Sequence, residues 1–137
     1  MDRLDEIIFK ATALELSGVE LFAVMGKSLI RREYNGIGPE FFPPELRAKI
    51  TSFLAIFEPA ALIHDLRFSR SDGGRWAFEY ANEEFFDNCR ACADDRYPWW
   101  NWRRYRARVV ARMLYDFVRS TKGWVAWTEA HDKRKVR

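Results

Sequence analysis

His64 and Asp65 are the residues whose types and spacing most directly suggest chemistry in this chain. They stand in the stretch from Pro59 to Phe68, which is apolar apart from this pair and Arg67, and where a polar or charged group is costly to bury without a partner. Consecutive helix residues point about 100° apart, so these two side chains must face different partners. Imidazole can act as a general base and a carboxylate can bind a metal ion, which makes the pair a candidate site.

Asn82 is the predicted partner of His64. A short turn containing Gly73 and Gly74 joins the His64 segment to a second helical segment at about 75–94, so the two helices should pack antiparallel. This arrangement places His64 opposite positions 80–82, where Asn82 lies on the apolar face. Asp65 would then point towards the loop at 34–39, whose glycines can turn backbone carbonyls inward. Ca²⁺ takes about 6–8 oxygen ligands of this kind.

The order of these features resembles the phospholipase A2 family, most closely its short, disulfide-poor bacterial and prophage members. The resemblance covers about 34–127: an Asn-Gly-x-Gly-Pro loop, a His-Asp helix, and an antiparallel helix with a polar residue facing the histidine. It implies a small all-α domain that hydrolyses a lipid ester, with His64 as the general base and Asn82 as its catalytic partner. It also implies a Ca²⁺ site formed by Asp65 and the carbonyls of Tyr34, Ile37 and Gly38.

Three residues depart from the family pattern. Asn82 stands where the family has an aspartate, so it can orient the imidazole but offers no charge to stabilise imidazolium. Phe68 replaces a tyrosine and lacks its hydroxyl, and Ile37 replaces the loop cysteine. These changes predict weak or absent hydrolysis. The alternative is a purely structural role, in which His64 and Asp65 fix helix packing. A metal phosphohydrolase of the HD type would need more histidines than the two present.

A second candidate feature is the run from Trp99 to Arg106, in which aromatic residues alternate with arginines. Residues 96–137 carry twelve Lys/Arg against three Asp/Glu, whereas residues 1–95 carry eleven against seventeen. We expect this basic half to bind an anionic partner, with phospholipid headgroups at a membrane surface preferred over nucleic acid. The predicted anion-binding residues are Arg103, Arg104 and Arg108. The alternative is a core helix whose arginines are solvated or paired with acids.

Composition favours one soluble domain at 1–130, followed by a polar tail at 131–137. The 137 residues carry a net charge of +3, and 48% of them are hydrophobic. Neither a bilayer-spanning apolar run nor a signal-peptide pattern is present, which predicts a cytoplasmic protein. Cys89 and Cys92 have no second Cys/His pair to complete a zinc site, so we expect two small buried side chains.

Apolar spacing predicts the elements that position these residues. A helix is expected over 3–16, then a looser helix to Arg32, with a strand at 19–25 as the less favoured alternative. After the 34–39 loop, one helix should begin at Pro43-Pro44 and the next at Pro59, ending near Ser69. A final long helix is expected to end near Gly123. Its apolar face is predicted to contain Trp102, Tyr105, Val109, Met113 and Phe117.

Overall fold

The computed structural model describes residues 2–34, 44–45 and 53–135, which contain helices and no strand. The all-α prediction is therefore confirmed for these residues, and the strand at 19–25 is wrong. Ile37, Gly38 and most of the helix predicted after Pro43-Pro44 lie outside the described residues. The helices are α1 at Arg3–Ala13, α2 at Leu21–Val24, α3 at Lys27–Glu33, α4 at Leu54–Arg70, α5 at Arg75–Arg96, α6 at Trp102–Val118 and α7 at Thr121–Lys135.

The α4 helix is central, and it packs against α5, α1 and α3. Phe57, Leu62 and Leu66 are fully buried along it, as expected for a helix with neighbours on several sides. Near the turn His64 contacts Asn82, whereas further from the turn Ala60 contacts Cys92. The contacts therefore occur in opposite order along α4 and α5, which makes the pair an antiparallel hairpin.

Pro59 does not begin a helix as predicted, because α4 already begins at Leu54 and continues through it to Arg70. Proline inside a helix removes one backbone hydrogen bond and costs about 3 kcal/mol. Burial on both sides of the proline offsets this cost, since neither Phe57 nor Ala60 has any exposed surface. Tertiary packing thus overrides the local signal for a helix start.

The buried face of α6 is rotated from the predicted one. Ala107, Val110, Ala111 and Leu114 are buried, whereas Trp102, Tyr105 and Val109 are exposed. One residue position corresponds to about 100° of rotation. The small side chains at 107 and 111 let the backbone of α6 approach its neighbours closely. The aromatic residues that looked like core are consequently on the surface.

The C-terminal segment also differs from expectation. The α6 helix ends at Val118, not near Gly123, and Gly123 lies in the first turn of α7. A Cβ at Gly123 would collide with the carbonyl of Val118, so the tight connection between these helices requires glycine there. The segment predicted as a polar tail from His131 is helical to Lys135, and His131 itself is buried.

Candidate functional site

His64 lies on α4 and contacts Asn82 of α5, as the hairpin geometry predicts. The distance from His64 Nε2 to Asn82 Oδ1 is 2.9 Å. Because an amide oxygen only accepts hydrogen bonds, Nε2 carries the proton and donates it. The Asn82 amide nitrogen in turn donates to the backbone carbonyl of Val118 at 3.4 Å, which is consistent with this amide orientation. The proton on Nε2 leaves a lone pair on Nδ1.

The surroundings of His64 keep its ring neutral. Its centroid lies 5.1 Å from that of Phe68 and 4.8 Å from that of Phe85. Burial lowers the pKa of His64 to about 4, and the hydrogen bond with Asn82 only partly opposes the shift. At neutral pH the side chain is therefore a neutral imidazole, able to accept a proton at Nδ1 but with no carboxylate on Asn82 to stabilise the cation.

Asp65 and Tyr34 lie close enough to influence one another electrostatically. Burial raises the pKa of the Tyr34 phenol, and the negative charges of Glu58 and Asp65 raise it further. The Tyr34 hydroxyl donates a long hydrogen bond of 3.5 Å to Glu58, which also pairs with Arg3. Tyr34 is the first residue of the predicted Ca²⁺-binding loop at 34–39, and the rest of that loop lies outside the described residues. Within the described ranges, no group of three His, Cys, Asp or Glu side chains is arranged to hold a metal ion.

The two cysteines are free and buried, as predicted from the sequence. Burial raises the pKa of both thiols, that of Cys92 to about 12. A thiol with such a pKa stays protonated at neutral pH and is a poor nucleophile. Cys89 and Cys92 of α5 therefore serve as packing residues in the hydrophobic core.

The second candidate region is an exposed surface that we call the aromatic–arginine surface. Its members lie in the turn before α6 and in the first turns of that helix: Trp99, Trp100, Trp102, Arg103, Tyr105 and Arg106. The four rings are 83%, 71%, 59% and 72% exposed, in that order. Side chains of this size and apolar area are ordinarily covered in a folded domain.

The three predicted anion-binding arginines have two different environments. Arg104 and Arg108 both bind the carboxylate of Asp94 at the end of α5, with shortest distances of 2.9 Å and 2.7 Å. These bonds lower the pKa of Asp94 to about 2. Arg103 is exposed, with its guanidinium 5.4 Å from the centre of the Trp102 ring. Arg106 is also exposed and lies over the same ring at 5.5 Å.

Two buried polar clusters were missed at the sequence level. Glu84 accepts two hydrogen bonds from Arg67, at 2.9 Å and 3.0 Å, and a third from Ser17 at 2.8 Å. His131 bonds Ser71 through Nε2 at 2.7 Å and the Trp127 carbonyl through Nδ1 at 2.8 Å. The signal for the second cluster was the helical spacing of positions 124, 127 and 131.

Comparison with known protein families, with curated proteins and with solved structures gave no significant match. The described helices include none that is both long enough and apolar enough to cross a membrane.

Proposed function

We propose that this chain is a phospholipase A2-like protein of the prophage type, a Ca²⁺-dependent lipid-ester hydrolase with a degenerate histidine network. The observation that carries the proposal is the hydrogen bond from His64 Nε2 to Asn82. It fixes the tautomer that leaves Nδ1 free of a proton, and Nδ1 would take a proton from the attacking water. The low pKa of His64 keeps Nδ1 unprotonated at neutral pH, so it is able to accept a proton. The same low pKa makes the imidazole a weak base.

The proposed Ca²⁺ ligands are Asp65 and the carbonyls of Tyr34, Ile37 and Gly38. All of them are oxygen ligands, which are the type that Ca²⁺ prefers. Support comes from the negative charge of Asp65, which acts on the side chain of Tyr34, the first residue of the loop, and helps to raise the pKa of its phenol. When bound, Ca²⁺ would stabilise the negative charge that develops on the carbonyl oxygen of the ester.

The test is fatty-acid release from phospholipid micelles, measured with and without Ca²⁺. We expect slow, Ca²⁺-dependent release that falls by about 100-fold or more in His64→Gln, the scale of general-base catalysis. Asn82→Asp should raise both the pKa of His64 and the rate, because a carboxylate stabilises imidazolium. The matched control is His131→Gln, which changes the other histidine. Equal rates in wild type and His64→Gln, or no release by wild type and Asn82→Asp, would contradict the proposal.

A second candidate function is a non-enzymatic module of phage or bacterial origin that binds an anionic partner through its basic C-terminal half. The observation in its favour is the exposure of Trp99 and Trp100 beside Arg103. Binding that needs no Ca²⁺ and persists in His64→Gln would support this function. Hydrolysis, in contrast, requires both Ca²⁺ and the His64 imidazole.

A further inference from the structure

The aromatic–arginine surface exposes four large rings that follow one another closely along the chain. Trp99 and Trp100 precede α6, Trp102 is its first residue, and Tyr105 lies one turn later. Together they border an open cleft of about 460 Å³, which Arg104 and Arg108 also line. Exposed apolar patches of this kind mark interaction sites, because a soluble monomer gains nothing from leaving them uncovered.

The local charge is positive. Residues 94–108 contain five arginines and two aspartates. Both carboxylates already form ion pairs: Asp94 binds Arg104 and Arg108, and Asp95 binds Lys10 at 2.8 Å. Among the described residues, Arg103 and Arg106 have no carboxylate partner and are exposed. Their positive charges are therefore available to an anion.

The chemistry of this surface fits a lipid headgroup layer better than a nucleic acid. A base that stacked on Trp102 would compete with Arg103 and Arg106, whose guanidiniums lie 5.4 Å and 5.5 Å from the centre of its ring. In a bilayer the same arrangement needs no displacement, because tryptophan and tyrosine rings partition to the headgroup level while arginines reach the phosphates.

We infer that the aromatic–arginine surface binds an anionic phospholipid bilayer, with Trp99 and Trp100 entering the headgroup layer and Arg103 and Arg106 contacting phosphates. This inference deepens the second candidate function by naming its partner. It is independent of hydrolysis, since His64 and Asp65 belong to α4 and have no role in it.

The experiment is sedimentation of the full chain with vesicles of phosphatidylcholine, with or without phosphatidylserine, in the absence of Ca²⁺. We expect salt-sensitive binding to the anionic vesicles. Each arginine near an anionic surface strengthens binding about fivefold, so Arg103→Glu with Arg106→Glu should weaken binding at least about 20-fold. Trp99→Ala with Trp100→Ala should weaken it by about tenfold or more, with less change in the salt dependence.

Two control variants keep the result specific. Arg70→Glu with Arg90→Glu makes the same charge change at two exposed arginines outside this surface, and Trp76→Ala removes an exposed tryptophan from α5. Neither should reduce binding more than about threefold. Equal losses in the test and control variants would overturn the inference, as would no binding to anionic vesicles. Binding to single-stranded DNA but not to vesicles would replace lipid by nucleic acid. A lack of hydrolysis with normal vesicle binding would leave this inference supported and contradict only the hydrolase.

Discussion

The α4–α5 hairpin and the aromatic–arginine surface differ in how their energetically unfavourable groups are accommodated: polar groups in the hairpin interior have partners, whereas large apolar rings on the surface are left uncovered. In the hairpin, the polar groups in or beside the core have partners: the buried Asn82 contacts the partly buried His64, and the buried Glu84 binds Arg67. On the surface, large rings such as Trp99 have almost no cover. Partnered polar groups inside a domain stabilise its packing, so they need no ligand to account for them. Uncovered rings have no such role, and their natural complement is an interaction partner.

The largest expected effect tests the hairpin. Arg67→Ala should lower the free energy of unfolding by about 3–5 kcal/mol, because it leaves the carboxylate of Glu84, whose side chain is 3% exposed, with only Ser17 as a side-chain hydrogen-bond donor. Urea unfolding measures this change. The control is Lys10→Ala, which breaks an exposed pair with Asp95 and should cost about 1 kcal/mol or less. Similar losses in both variants would remove the distinction between interior and surface pairs.

A smaller effect concerns the pH dependence of stability at His64. Its pKa falls from 6.5 when unfolded to about 4 when folded, so the unfolded chain binds more protons between these values. The folded protein is thus most stable above pH 6.5 and loses stability as the pH falls towards 4. At pH 4.5 the loss from this residue should be roughly 2–3 kcal/mol.

Urea unfolding of wild type and His64→Leu at pH 7.5 and pH 4.5 isolates that loss. The difference in unfolding free energy between the two proteins should shift by roughly 2–3 kcal/mol in favour of the variant at the lower pH. An unchanged difference would mean that the imidazole is solvated and not enclosed by Phe68 and Phe85.

The smallest expected effect sharpens the description of the surface. Asp94→Asn should release Arg104 and Arg108 from their shared carboxylate and raise affinity for anionic vesicles by about fivefold, equivalent to one additional basic contact. Asp95→Asn changes the charge equally at the next position but touches Lys10 instead, so it should raise affinity less. Vesicle sedimentation of the two variants side by side measures the difference. An equal increase for the two variants would show that net charge alone governs binding.

Local sequence signals predicted part of the hairpin well. The short turn and the apolar spacing of both segments were sufficient to pair His64 with Asn82 across it. They failed at Pro59, because the signal for a helix start is local, whereas the packing of Phe57 and Ala60 that carries α4 through the proline comes from distant parts of the chain.

The buried face of α6 shows a different limit. The apolar spacing placed Trp102 and Tyr105 on the buried face of the helix, but close helix packing selected Ala107 and Ala111 instead. The bonds of Asp94 with Arg104 and Arg108 were equally out of reach, because they depend on how the end of α5 meets the start of α6. Both cases depend on the distance between helices, which the spacing of apolar residues along the sequence does not predict.

The ties between α7 and the 71–74 turn also bear on the order in which the chain folds. The two helices of the hairpin are neighbours in sequence and can associate early, since local contacts form fastest. Yet Gly73 accepts a hydrogen bond from the Trp127 indole, and Ser71 bonds His131, across separations of 54 and 60 residues. On a ribosome the turn therefore emerges well before its partners and stays hydrated until they arrive. The hairpin can therefore form first, but its turn gains these two hydrogen bonds only after α7 has been synthesised.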